Sequence, residues 1–172
     1  YPSEGATYIK WGIIAVLFLL ETFGNSVFLS KGNEQGLLGG YTEAFYISML
    51  NVGFAVLVGS FVTRYMFHRS VFLKMVGFLG LIIALGLSGI LNLMVAHYRE
   101  VSDLGMLAGA GGTAAIERLS ADPFALTSII GWILFAMGFL FFVIAVIDAH
   151  SLDDNYPGYG GFARATEKAN IE

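Results

Sequence analysis

Four long apolar runs constrain the fold of this chain more than any other feature. They are Trp11–Ser30, Ala44–Thr63, Met75–Ala96 and Phe124–Ile147. A helix crosses roughly 30 Å of hydrocarbon with about 20 mostly apolar residues, so each run is long enough to span a membrane. The alternating polarity of outer-membrane strands is absent from the sequence. The sequence therefore predicts an all-α protein, an integral membrane four-helix transmembrane bundle.

The composition supports this prediction and excludes several functions. The chain of 172 residues is 56% hydrophobic and 13% charged, whereas soluble proteins are about 25% charged. A net charge of −4 provides no basic surface for nucleic acid. Because the chain has no cysteine, disulfides, thiolate metal sites and cysteine nucleophiles are excluded.

Local signals divide the chain into a four-span transmembrane domain, residues 1–150, and a tail, residues 151–172, that resembles the start of a further helix. Asp122 and Pro123 favour a fourth helix that begins there, because they suit the N-cap and first helical positions. The glycines of segment 31–41 favour an ordered loop, and Thr113 is expected to cap a short helix in the longer loop. We expect helices at about 8–30, 42–66, 71–98 and 124–149, with extracytoplasmic loops at 31–41 and 98–122.

The distribution of basic residues predicts the orientation in the membrane. Six lysines and arginines flank the two termini and the short turn between the second and third helices, whereas three lie in the other loops. Because positively charged loops are retained in the cytoplasm, both termini are expected there. The six are Lys10, Arg64, Arg69, Lys74, Arg164 and Lys168.

Glu21 is the only charged residue in the four runs, and an ionisable side chain inside a span marks a candidate functional site. Asn25 follows one turn later. Asn51 and Ser88 are expected at a similar depth and Asn92 nearer the outside, all in the outer half of the bilayer. Three interpretations remain open. In the first, these polar residues bind a cation or exchange protons. In the second, they join the helices by contacts of about 0.6–2 kcal/mol each. In the third, Glu21 faces a partner subunit or the centre of an oligomer.

Small residues recur at every fourth position of the third helix, at Gly80, Ala84 and Ser88, beside Gly77. This spacing lets another helix approach closely. The opposing surface is expected on the second or fourth helix of the same bundle, with a dimer face as the alternative. Candidate opposing residues are Gly53, Gly59, Ser60, Gly131 and Gly138.

The sequence predicts no catalytic residue, no metal and no cofactor. His68, His97 and His150 form no pair at metal-ligand spacing and are expected to be solvated at the membrane surface. Motifs for hydrolysis, phosphoryl transfer or dinucleotide binding are absent from the sequence, so we expect that the protein is not an enzyme.

The tail carries a further candidate site at Asp153, Asp154, Tyr156 and Tyr159. The Pro-Gly step between the tyrosines favours a turn, and tyrosines anchor proteins at the headgroup level. The segment is interpreted as a helix stop with an interfacial anchor, or as a cation site or docking motif for a partner.

Three short motifs carry a resemblance to a known group of proteins. They are Glu21-x-x-x-Asn25 leading into Gly36-Leu-Leu-Gly-Gly40, Ala96-His97-Tyr98-Arg99, and Asp153-Asp154-x-Tyr-Pro-Gly-Tyr-Gly. The chain resembles uncharacterised bacterial inner-membrane proteins with four spans and flanking helical or coiled-coil segments. The resemblance implies a bacterial plasma membrane and a terminal helix that continues beyond residue 172, but no activity.

Two functions follow as hypotheses. The first is a non-enzymatic membrane subunit or scaffold that oligomerises or anchors a membrane-associated complex. Its expected partners are the lipid bilayer and a second copy or another membrane subunit, without nucleic acid. The alternative is a proton- or cation-conducting channel or transporter subunit that uses Glu21 and the outer-half amides.

Overall fold

The computed structural model describes residues 4–33, 35–105 and 108–152, and the short stretches 162–163, 165–166 and 169–170. These residues are almost entirely helical, and no strand occurs among them. The helices are α1 (Glu4–Leu29), α2 (Gly36–Tyr65), α3 (Val71–Asp103), α4 (Ala108–Ala121) and α5 (Ile129–His150).

Four of the helices, α1, α2, α3 and α5, are long and apolar enough to cross a membrane. This confirms the predicted all-α bundle. α1 packs along α2 and α5, and α3 packs along α5 and against the last turns of α2, whereas α1 and α3 scarcely meet. Only 28% to 39% of the most apolar stretch of each span is buried. Most apolar side chains of the spans therefore point outward, as lipid contact requires.

The two ends of the bundle differ. At the end that we call the terminal end, Lys10 of α1 donates to the carbonyl oxygen of Ser151, just after α5. At the opposite end, the loop end, a 3₁₀ turn at Ser30–Gly32 leads from α1 toward α2, and α4 follows α3 in the chain and packs against it.

The terminal half of the bundle is filled by an apolar cluster. Its buried side chains come from all four spanning helices and include the fully buried Phe142. Cores of this kind are packed as densely as organic crystals and leave little room for water. The members are Ile14, Leu17, Val52, Ala55, Val58, Ala84, Phe142, Ala145, Val146, Ala149 and Leu152.

Glycines of α2 and α3 permit close approach between helices. A Cβ atom at Gly59 would lie 2.5 Å from the carbonyl oxygen of Val146 on α5, and one at Gly77 would lie 2.6 Å from the amide nitrogen of Met66. Gly80 faces Val62, and Ala84 is buried. The small residues of α3 thus contact the end of α2 within the bundle, whereas Gly53 has nothing near it.

The beginning of α2 corrects one expectation. The glycine-rich segment was expected to be a loop through residue 41, but α2 begins at Gly36, whose φ is +57°. A Cβ atom at Gly40 would lie 2.5 Å from the Cα atom of Ser30. These glycines therefore let the beginning of α2 pack closely on the residues that follow α1, and they do not only form a loop.

The beginning of α5 corrects a second expectation. Asp122 and Pro123 do not open this helix, which begins at Ile129 and is capped by the hydroxyl of Ser128. Asp122 instead accepts a hydrogen bond from the amide of Phe124, forming a local turn. Residues 124–128 lie outside the helix, and Glu100 of α3 accepts hydrogen bonds from the Thr127 hydroxyl and the Ser128 amide at the end of this segment.

Two smaller differences concern α3 and α4. α3 continues to Asp103, beyond the expected end near residue 98. α4 begins at Ala108, so Thr113 lies inside the helix and donates to the carbonyl oxygen of Ala110, and it is not the expected cap.

Candidate functional site

The side-chain amide of Asn51 lies at the centre of a buried polar network. Its nitrogen donates to a carboxyl oxygen of Glu21 on α1 at 2.9 Å and to the carbonyl oxygen of Gly138 on α5 at 2.8 Å. Its oxygen accepts from Ser88 at 3.3 Å and from Asn92 at 3.2 Å, both on α3. One amide is therefore bonded to all three other spanning helices, and its two donors and two acceptor positions are all used.

Asn92 reinforces the contact between α3 and α5. Its nitrogen also donates to the carbonyl oxygen of Ser88 at 2.9 Å. Its side-chain oxygen lies so close to Gly138 that a Cβ atom there would approach within 1.8 Å. The glycine at this position of α5 thus provides the space that the amide occupies.

Glu21 is only partly satisfied by this network. Its side chain is completely buried, and its second carboxyl oxygen, Oε2, has no hydrogen-bonding partner among the described residues. The hydroxyls of Thr22 and Ser48, the latter one turn before Asn51, are likewise buried and unpartnered there. Asn25 lies one turn beyond Glu21 and is also buried. Unpaired buried polar atoms of this kind call for a proton, a water molecule or an ion.

The surroundings of Glu21 differ toward the two ends. Toward the terminal end, α1 and α2 contribute Leu17, Ile14 and Val58 to the apolar cluster. Toward the loop end, Glu43 of α2 accepts hydrogen bonds from Asn33 and from the Tyr98 hydroxyl, each at 2.9 Å. Polar groups therefore extend from Glu21 toward the loop end, and the terminal half is apolar.

A second buried acidic group, Glu100, was missed by the sequence analysis. It lies near the end of α3, is 6% exposed, and accepts from the amide of Ser128 at 2.7 Å and the hydroxyl of Thr127 at 3.1 Å. These bonds hold the segment before α5 against α3. The absence of a helix breaker between Ala96 and Gly105 was the signal that α3 continues and places Glu100 inside the bundle.

Two of the histidines correct the expectation that they are solvated. His97 is fully buried, and its Nε2 atom lies 3.0 Å from the carbonyl oxygen of Pro123, so it donates to that oxygen. His150 lies 2.7 Å from the hydroxyl of Thr63 and stacks on Phe67. His68 is exposed. His97 and His150 thus connect segments of the bundle at opposite ends.

The remaining predicted sites divide between the two parts of the chain. Asp153, Asp154, Tyr156 and Tyr159 lie outside the described residues. Within the described part, no three histidine, cysteine, aspartate or glutamate side chains lie together as metal ligands would. The Glu21–Asn51 network is thus the candidate site that the structure assembles from predicted residues.

Comparisons of the chain with family models, with curated proteins and with solved structures found no match.

Proposed function

We propose that the chain is a non-enzymatic integral membrane subunit whose bundle oligomerises or anchors a membrane-associated complex. The observation that carries the proposal is the use of every hydrogen-bonding position of Asn51 within the bundle. An amide whose donors and acceptor positions are all used within the bundle has none left for a substrate. Asn51 holds four helices in one arrangement, as an anchoring subunit requires.

The outer surface of the bundle supports the same proposal. About two thirds of the most apolar stretch of each span is not buried in the chain itself. The exposed surface of α3 is rich in large apolar side chains, and it is available to lipid, a second copy or another subunit. Exposed members include Phe72, Met75, Phe78, Leu79, Ile82, Ile83, Leu87 and Ile90.

The proposed membrane is a bacterial plasma membrane, with both termini in the cytoplasm. Lys10, Arg64, Arg69 and Lys74 all belong to the terminal end. Since lysine and arginine near span ends favour the cytoplasmic side, this charge distribution supports the orientation.

A proton- or cation-binding subunit is the second candidate, and the unpartnered Oε2 atom of Glu21 favours it. A carboxyl oxygen in that position accepts a proton or a small cation. The apolar cluster between Glu21 and the terminal end argues against a continuous polar path through one chain. Conduction would therefore need another conformation or a path between subunits.

Two measurements test the two candidates. The first is the mass of the particle extracted in a mild detergent, by native mass spectrometry, where we expect an oligomer or a complex with another membrane protein. A strict monomer without a partner contradicts the subunit proposal. The second is proton and cation flux in liposomes, comparing the wild type with Glu21→Gln, which keeps an acceptor for Asn51. If the wild type and Glu21→Gln both show only the flux of empty liposomes, the subunit proposal is supported. If the wild type shows flux that Glu21→Gln loses, the second candidate is supported.

A further inference from the structure

A cleft of about 320 Å³ lies at the loop end, between the end of α3, α4 and the segment before α5. Its lining contains carboxyl groups, a guanidinium group and apolar side chains. The residues that matter for its chemistry are Glu100, Leu104, Arg118, Asp122 and Thr127. Neither the Glu21–Asn51 network nor the proposed anchoring function uses this cleft.

The position of the cleft relative to the membrane follows from the length of α5. This helix has 22 residues, or about 33 Å at 1.5 Å per residue, close to the thickness of the hydrocarbon. Its two ends therefore lie near the two headgroup levels. Glu100 is hydrogen-bonded to Ser128, the residue that caps α5. Trp132, one turn into α5, is 41% exposed and donates to the carbonyl oxygen of Leu126, as tryptophans at membrane interfaces do. The cleft is thus at the headgroup level.

The charges in the cleft are opposite and adjacent. The Glu100 side chain is 5% exposed and that of Arg118 is 42% exposed, and their nearest atoms are 3.8 Å apart. This distance exceeds that of a hydrogen bond, so the guanidinium group keeps donors for an anionic group. Asp122 uses one carboxyl oxygen for the amide of Phe124, which leaves the other for a cationic group.

We propose that this cleft binds the headgroup of an aminophospholipid. The guanidinium group of Arg118 donates to the phosphate oxygens, in the geometry that arginine favours with phosphate. The free carboxyl oxygen of Asp122 accepts from the primary ammonium group, and buried Glu100 adds negative charge beside it. Leu104, which lines the cleft and is 63% exposed, adds apolar surface beside the headgroup.

The test is native mass spectrometry of the full chain, delipidated in detergent and offered phosphatidylethanolamine, phosphatidylcholine or phosphatidylglycerol separately. We expect at least tenfold greater retention of phosphatidylethanolamine than of phosphatidylcholine, whose quaternary amine has no hydrogen to donate. Asp122→Asn should abolish this preference, and Arg118→Gln should reduce retention of both lipids. Glu117→Gln, on the exposed side of α4, is the matched control and should behave as the wild type.

Several outcomes would overturn the proposal. Equal retention of the three lipids by the wild type removes the headgroup preference, and an unchanged preference in Asp122→Asn removes the assigned residue. Free phosphoethanolamine that binds as tightly as the lipid would show a soluble zwitterion site instead. Arg118→Lys separates charge from folding: it should retain part of the binding, and full loss in a variant with wild-type thermal stability contradicts the role of the positive charge.

Discussion

Asn51 donates a hydrogen bond to the backbone carbonyl oxygen of Gly138, across the interface of α2 and α5, at 2.8 Å. In a helix, that carbonyl oxygen already has a backbone partner one turn later, so this is an additional bond directed from one helix to the main chain of another. Because the acceptor belongs to the main chain of α5, the hydrogen bond forms only at a short separation of the two helices. The bond therefore reports how closely α2 and α5 approach.

Replacing Asn51 by Leu should destabilise the bundle more than any other single change in the network. The variant loses bonds to all three neighbouring helices and leaves the Glu21 carboxyl group buried without its donor, a cost of about 3 kcal/mol or more. Asn92→Leu, which leaves the bonds of Asn51 to Glu21 and Gly138, should cost about 1 kcal/mol.

The measurement is the free energy of unfolding in mixed detergent micelles with increasing denaturing detergent. The double variant Glu21→Leu, Asn51→Leu is the control, since removing both partners avoids an unpaired buried carboxyl group. It should recover part of the lost stability. Equal losses for Asn51→Leu and Asn92→Leu would contradict the central position of Asn51.

Gly59→Ala should separate α2 from α5. The added methyl group would lie 2.5 Å from the carbonyl oxygen of Val146 and 2.7 Å from the Cβ atom of Ala149, and a main-chain atom moves only with its helix. We expect a loss of about 1–3 kcal/mol, as for other insertions into packed cores. Gly53→Ala, on the same helix with nothing within 4 Å, should be neutral or stabilising because alanine favours helix. A thermal shift in detergent compares the two, and similar melting temperatures would contradict the contact.

Thr63 supports a short π-helical segment of α2 at Val58–Val62. Its hydroxyl donates to the carbonyl oxygen of Gly59 at 2.6 Å and therefore accepts from His150. Thr63→Val keeps the shape but removes both bonds, and we expect a loss of about 1–2 kcal/mol. Thr63→Ser should retain most of the stability. If the valine and serine variants unfold at the same denaturant concentration, the hydroxyl does not stabilise this segment.

Glu100→Leu should release the segment before α5. The variant removes the acceptor of the Ser128 amide and of the Thr127 hydroxyl. We expect the variant to lose about 1.4 kcal/mol of local stability, which corresponds to about tenfold faster amide exchange in this segment. Hydrogen exchange of the peptide covering residues 124–132 measures this, with Glu117→Leu on exposed α4 as the control. Faster exchange in both variants, or in neither, would contradict a specific role of Glu100.

The sequence was sufficient to predict the spans, because apolar length is a local property. It also predicted that Glu21, Asn51 and Ser88 share a depth, with Asn92 nearer the outside, because the helical rise converts residue number into distance. The start of α5 was predicted wrongly. Asp122 and Pro123 are a good local helix start, but Glu100, more than 20 residues earlier, binds Thr127 and Ser128, where the helix begins instead.

His97 was predicted to be solvated but is buried, and the prediction was wrong for the same reason. A histidine at the expected end of a span is usually solvated, and its burial depends on Pro123 returning to α3 in the tertiary structure. Likewise, the glycines before residue 41 have the composition of a loop, and only the proximity of Ser30 to Gly40 explains why they are helical. Contacts between distant segments decide these positions, and local sequence patterns do not contain them.

The bonds of Asn51 have a mechanical consequence. All four spanning helices are joined by side chains at a single depth, and α2 is bonded to its neighbours again nearer each end. Glu43 binds Tyr98 of α3 toward the loop end, and Thr63 binds His150 of α5 toward the terminal end. A tilt of α2 about the central depth would keep the bonds of Asn51 but strain these two. Directional bonds at three depths therefore oppose tilting of α2 against α3 and α5.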